Sequence, residues 1–242
     1  MRPVITAFDW VPDFAKGQVR DLRLRWALEE VGQSYETLYL RQGEQKRDAH
    51  RTRQPFGQVP TYQEDELVLF ESGAIVLHIA ERFGGDLLPA DPAGRIRAIE
   101  WIFAALNSIE PSLMDHGMCA IFEADQPWSA PRMPAVLARI DGRLAALSHR
   151  LGDREWLEDD GFTAGDLIMV TVLRIVAGDF LLAPYPNLSA YVARGEARPA
   201  FQRALADQMA GFTGAPPPGF AEWEARIKAR QGEPAWPISK DS

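Results

Sequence analysis

From Val4 to Phe8 the chain sets β-branched and aromatic residues in a run the length of a strand. The period then changes. Val19, Leu22 and Trp26, beside Leu24, Ala27, Leu28 and Val31, form two neighbouring apolar stripes at helical spacing. Gly32 stands where that helix would end, and Tyr35 to Leu40 reads as a second strand. A strand-helix-strand unit of this kind normally lays its strands parallel. After a variable segment from Gln42 to Arg53, Val59 to Tyr62 and Leu67 to Phe70 read as two short strands around the acidic turn Glu64-Asp65-Glu66. A helix follows at once, with Ser72 placed to cap it, Ile75, Val76, Ile79, Ala80 and Phe83 as its buried face, and Gly84-Gly85 as its end.

The order strand, helix, strand, strand, strand, helix is the thioredoxin-like arrangement. From Leu87 to Pro92 the pattern is that of a linker, after which strand signals nearly vanish and helical periodicity runs to about Phe212. The clearest helix start in this half is Phe162-Thr163-Ala164-Gly165-Asp166-Leu167, where Thr163 and Asp166 have capping-box spacing. The apolar run Leu167 to Leu173 behind it predicts the buried centre of the helical part. The fold expected is α/β plus all-α: an N-terminal thioredoxin-like domain over 1–86, a C-terminal helical bundle over 91–212, and a Pro-rich extension over 213–242 with a short amphipathic piece around Trp223 and Ile227.

Composition narrows the functional classes. Of 242 residues 46% are hydrophobic and 25% charged, which is enough apolar material for a core, and the net charge of −8 disfavours a non-specific nucleic-acid surface. Cys119 is the single cysteine, so an internal disulfide, a Cys-x-x-Cys pair and a four-cysteine zinc site are all excluded, and a reducing cytoplasm is the expected compartment. The start lacks a signal-like apolar stretch, and no run reaches the roughly 20 apolar residues that a spanning helix needs. His116 and Cys119 are three apart, but two ligands do not make a metal site, so no metal is expected.

The chemistry-bearing stretch is Gln54-Pro55-Phe56-Gly57-Gln58-Val59-Pro60, continued by Phe70-Glu71-Ser72-Gly73-Ala74-Ile75. A proline at a strand removes a ladder donor and suits a place where backbone groups must stay free; a cis Val59-Pro60 bond would turn the Val59 N–H and C=O outward, towards an extended peptide. Glu71-Ser72, at a strand-to-helix junction, can receive a carboxylate on backbone N–H groups and the Ser72 hydroxyl. The paired motifs resemble the glutathione site of cytosolic glutathione transferases, most of all the phi-like and theta-like bacterial and plant branches. The resemblance extends upstream to Gly43-Glu44-Gln45-Lys46, downstream to Phe162–Asp166, and in element order from about residue 3 to 212. It implies that the Val59 backbone at Pro60 pairs with the cysteinyl unit of glutathione, that Glu71 and Ser72 hold the γ-glutamyl end, and that Gln45, Lys46 and Gln58 serve the glycine carboxylate. It further implies a homodimer that acts on a small hydrophobic electrophile, with Trp101, Met114, Met118 and Phe122 as candidate pocket walls.

One part of the family pattern is missing. The stretch Trp10 to Val19, where such proteins place a Tyr, Ser or Cys against the glutathione sulfur, contains none of the three. The expected substitute is the N-terminal end of the first helix, sited near Lys16-Gly17-Gln18, with Lys16 or Arg20 as a nearby cation. Two classes of function stay open: an enzyme that directs the glutathione thiolate at an electrophile, and a non-catalytic glutathione-fold binding or scaffold protein.

Overall fold

The computed structural model describes residues 2–158, 161–178 and 180–231, with side chains to Ala225 in the last segment. Strands β1 (Val4–Phe8) and β2 (Glu36–Leu40) are parallel and in register from Val4 with Glu36 to Phe8 with Leu40. The crossover between them is helix α1 (Asp21–Glu30), which ends where the Gln33 N–H returns to the Leu28 carbonyl at 2.9 Å. Strand β3 (Tyr62–Glu64) runs antiparallel to β1, and β4 (Leu67–Leu69) antiparallel to β3, giving the order β2-β1-β3-β4. The strand expected from Val59 therefore starts three residues later, because Pro60 has no N–H to give to a ladder. Thr6 bridges the difference: its N–H reaches the Thr61 carbonyl at 3.0 Å and its hydroxyl accepts from the Thr61 N–H at 2.7 Å.

A short helix α2 (Asp48–Arg51) lies in the variable segment, and α3 (Ser72–Phe83) buries Ile75, Val76, Ile79 and Ala80 as its period predicts. Phe83 is only half-buried. The rest is helical: α4 (Pro92–Ala104), α5 (Glu110–Gly117), α6 (Ser129–Leu151), α7 (Ala164–Leu173), α8 (Pro186–Glu196), α9 (Pro199–Ala210) and α10 (Phe220–Gln231). Wider π-type turns, Ala105–Ile109 and Met118–Phe122, flank α5 on both sides. The extension beyond 231 and the Ile227 side chain lie outside the described residues.

Helix α1 is shared by both halves. Trp26, with no exposed surface, packs its ring 5.4 Å from Phe162 and 4.9 Å from Phe201, so one side chain joins the sheet layer to the helical layer. Around it Arg198 forks onto Glu30 at 2.6 and 2.9 Å, and the buried Asp21–Arg25 pair is completed by Gln208 and Asp207.

All ten residues of α7 are buried, and its start is built as the Thr163/Asp166 spacing predicts. Asp166 accepts from the Thr163 N–H and hydroxyl, the Leu157 N–H and the Tyr191 hydroxyl, all within 2.9–3.0 Å. Losing the carboxylate strands several buried donors at once, whereas losing the Thr163 hydroxyl removes one cap. In urea melts Asp166→Ala is expected to cost about 3 kcal/mol or more and Thr163→Ala about 1 kcal/mol. Equal costs would show that Asp166 is no more than a cap.

Candidate functional site

Three stretches of backbone with unused hydrogen-bonding groups face one another across the junction of the two layers. The first is Gln58-Val59-Pro60, where the Val59-Pro60 bond is cis. Among the described residues nothing pairs with the Val59 N–H or C=O. The loop ahead of it is held by the buried His50, whose Nε2 lies 2.6 Å from the Gln58 carbonyl, and by the Gln54 side chain, which accepts from the Gln58 N–H at 3.3 Å. Gly57 is required there: a Cβ would stand 2.8 Å from the Gln45 carbonyl oxygen and 2.9 Å from the Lys46 side chain.

The second is the start of α3. Glu71, not Ser72, occupies the cap position, with φ 69°, an uncommon conformation for a residue with a side chain and one that costs of order 1–3 kcal/mol. Its side chain does not cap the helix. Ser72 is the first helical residue, and Ser72, Gly73 and Ala74 line a cavity of about 450 Å³ together with Gln58, Val59, Pro60 and Glu71. Helix N–H groups left open in this way favour an anion.

The third is the approach to α1, where the helix begins at Asp21 and not near residue 17. This corrects the expected placement of Lys16-Gly17-Gln18. Lys16 is paired with Asp13 at 2.7 Å, the Gly17 carbonyl accepts from Arg174, and the Gln18 amide donates to the Arg174 carbonyl at 3.2 Å. Lys16 and Gly17 line neither cavity at the site. Instead, among the described residues, the N–H groups of Val19 and Arg20 meet no acceptor, and both residues line a second cavity of about 610 Å³.

The two cavities share Arg20, Arg23, Gln58, Val59 and Glu110. Arg23, only 3% exposed, donates to Ser72 Oγ at 3.1 Å, to Thr171 Oγ1 at 3.1 Å and to Glu110 Oε1 at 2.9 Å. Arg20 reaches the same Glu110 oxygen with two nitrogens at 3.1 and 3.0 Å. Burial works to raise the Glu110 carboxyl, but Arg23 and Arg20 hold it below the ordinary carboxylate range. For Arg23 burial is the larger influence and lowers it, with Glu110 opposing. Two cations thus share the Glu110 carboxylate, and the Glu71 charge also acts on Arg23.

Of the residues expected to face a ligand, Gln45, Lys46, Met114 and Phe122 line the larger cavity beside Phe14, Ile121 and Ile175. Trp101 does not. It donates to Glu158 at 2.8 Å, lies under Arg150 and packs against Gly165, on a different face of α4 from the residues that line the smaller cavity. Met118 lines neither cavity, because the widened turn it opens carries Phe122 to the cavity in its place. Arg23, Glu110 and His50 were not singled out as site residues; an arginine between the apolar residues Leu22 and Leu24 of α1 was the available signal for the first, and none marks Glu110. Among the described residues no three His, Cys, Asp or Glu gather to hold a metal ion, and no helix is long and apolar enough to cross a membrane.

Glu110 carries a pH dependence whose sign follows from its lowered pKa. Its contribution is fully present above the unfolded value of about 4.3 and is lost as pH falls through the lower folded value. Glu110→Gln leaves Arg23 buried beside a neutral partner, so it should cost about 3 kcal/mol at pH 7 and flatten the acid limb of stability. Denaturant melts from pH 7 to pH 3 check both, and an unchanged acid limb would remove Glu110 from that role.

The sequence model for the glutathione S-transferase N-terminal domain matches residues 5–81, and that for the C-terminal domain matches 110–199. Glutathione S-transferase 1 of Triticum aestivum is 31% identical over 201 residues, covering 73% of this chain and 84% of its own length. Glutathione S-transferase 4 of Zea mays is 28% identical, covering 78% and 88%. A solved glutathione transferase of Burkholderia graminis, with two glutathione molecules bound per subunit, superposes with a TM-score of 0.74 at 26% identity, covering 84% of this chain and 87% of its own. A theta class glutathione S-transferase of Xanthomonas axonopodis pv. citri, with glutathione bound, gives 0.68 at 26% identity, covering 84% and 96%. With both family domains matched in order, and a four-stranded mixed sheet joined to a helical bundle, this chain belongs to the glutathione S-transferase family.

Proposed function

We propose that this enzyme binds glutathione across the three backbone stretches and directs its thiolate at a small apolar electrophile held in the larger cavity. The observation that carries the reading is the unpaired Val59 backbone, set between the open start of α3 and the free N–H groups of Val19 and Arg20. In this reading the Val59 N–H and C=O pair with the cysteinyl unit beside Pro60. The γ-glutamyl carboxylate sits on the α3 N-terminus, where Arg23 already donates to Ser72 Oγ and leaves the hydroxyl hydrogen for the ligand. Glu71 takes the α-amino group, and Gln45, Lys46 and Gln58 take the glycine carboxylate. Ser72→Ala should weaken glutathione about tenfold by calorimetry, since hydrogen bonds to charged groups are worth about 1.5–3 kcal/mol. An unchanged affinity in a folded variant would displace the site.

The sulfur, one residue along from the γ-glutamyl group, then faces Val19 and Arg20. A thiol of pKa about 8.5 is only a few per cent ionised at pH 7, and two units of lowering require about 2.7 kcal/mol. Helix-terminal N–H groups supply up to about 2 kcal/mol, and the partly exposed Arg20 guanidinium beside them supplies the rest. Lys16, neutralised by Asp13 and outside both cavities, drops out of the expected mechanism. Ultraviolet titration of bound glutathione should show thiolate about two units below free glutathione, with Arg20→Ala recovering about one unit and Lys16→Ala none. An unshifted wild-type titration would leave a binding protein without thiol chemistry.

The same reading takes 1–86 and 91–212 as the two domains, in a cytoplasmic homodimer. Exposed apolar side chains support the dimer: Ile96 and Phe103 are 61% and 59% exposed on α4, and Phe56, 62% exposed, pairs with Phe70 at 6.2 Å. Light scattering at micromolar concentration should give twice the chain mass; a single chain mass rejects the dimer.

A further inference from the structure

Helix α10 lies beyond residue 199, where the family match ends, yet it is tied to the ligand site in two separate ways. The backbone tie comes first. The Gly214 N–H donates to the Asp9 carbonyl at 2.8 Å, and the approach is so close that a Cβ on Gly214 would stand 2.5 Å from the Asp9 carboxyl. Pro216, Pro217 and Pro218 then stiffen the path to α10. The second tie is aromatic. Trp10 meets Phe220 edge-on at 4.6 Å, Phe220 meets Trp223 at 5.3 Å, and Trp223 lies 6.2 Å from Phe14 and 6.1 Å from Phe122, nearly parallel to the latter at 27°.

Phe14 and Phe122 both line the larger cavity, one from the loop after β1 and the other from the turn after α5. Each remains about half exposed, at 53% and 51%, in spite of its contact with Trp223. Trp223 itself does not line the cavity. It packs against the two rings that do, and so fixes their positions. The same cavity is lined by Phe8, Val19, Leu113, Met114 and Ile121, and by Arg20 and Val59.

We infer that Trp223 is a positioning residue that sets Phe14 and Phe122 as an aromatic rim selecting flat aromatic co-substrates over aliphatic ones of similar size. This rests on the proposal that glutathione occupies the adjoining cavity. Preformed ring faces reward a planar ligand beyond the area it buries, by an amount that an alkyl chain does not recover. Fixing the rims in advance removes the ordering cost of doing so on binding.

The test uses the full chain and three probes: glutathione, S-benzylglutathione and S-butylglutathione, each titrated calorimetrically into wild type, Trp223→Ala and Trp223→Phe. Wild type should hold the benzyl compound at least about fivefold tighter than the butyl compound. Trp223→Ala should weaken benzyl binding about fivefold, with butyl and glutathione within about twofold, and Trp223→Phe should recover most of the loss. A wild type with no benzyl preference overturns the inference even where the variants fail to fold, and so does an equal loss for benzyl and butyl. Binding of glutathione with no difference between the two thioethers fails this inference alone; no binding of any of the three fails the glutathione reading and this one with it.

Discussion

The structure turns on a guanidinium held out of water. Arg23 sits in the middle of α1 with its charge buried, a placement that costs several kcal/mol unless its donors are met and an anion stands close. The fold meets that condition by drawing one acceptor from each of three other helices: Ser72 from α3, Glu110 from α5 and Thr171 from α7. The first belongs to the thioredoxin-like layer and the other two to the helical layer. The positions of the layers are therefore set together with the position of the start of α3, which is where an anionic ligand would be received. Trp26, one turn further along α1, seals the same junction with apolar surface, so charge and hydrophobic burial act on one helix.

That arrangement explains why so little of the ligand site consists of side chains. A backbone N–H or C=O cannot be left buried without a partner at low cost, and among the described residues such groups nonetheless stand unpaired at Val59 and at Val19–Arg20. Each sits next to an element that prevents the chain from satisfying it internally. At Val59 the following proline ends the ladder before it starts. At Glu71 a left-handed conformation turns the side chain away from the helix it would otherwise cap. Before α1, the Arg174 side chain holds the Gly17 carbonyl. The groups are available because neighbours are fixed, and the neighbours are fixed by contacts to the helical layer.

This division also accounts for what could be read from the chain alone. Constraints that act within a few residues were legible: the parallel unit around α1, the Thr163/Asp166 start of α7, and the Phe56–Pro60 motif, in which a glycine and a proline are needed by their own backbone. Constraints that act between distant segments were not. Arg23 meets partners 49, 87 and 148 positions away, so nothing in its own neighbourhood names them. Lys16-Gly17-Gln18 were expected at the start of α1, but the helix begins at Asp21, and the Val19 and Arg20 carbonyls accept from the Leu22 and Arg23 N–H groups in the tight turn that opens it. Trp101 and Met118 were expected at the pocket from the family resemblance, but Trp101 lies on a different face of α4 beside Glu158 and Gly165, and the π-type turn that Met118 opens carries Phe122 to the cavity instead; no propensity announces such a turn.

The charge balance of the cluster links stability to chemistry. With no anion, Arg20 and Arg23 would repel each other and Arg23 would be too costly to bury. Glu110 lies close enough to Arg23 to keep it charged in the interior, where the Glu71 charge also acts on Arg23, and shares the same oxygen with Arg20, which is partly exposed and lines the cavity. The N–H of Arg20 meets no acceptor among the described residues, so cation and amide stand at one position. A Tyr, Ser or Cys at the sulfur stabilises it through a single hydrogen bond. In the mechanism proposed above the equivalent preference is spread over an amide pair and a partly compensated cation, an arrangement that leaves no single diagnostic residue in the sequence.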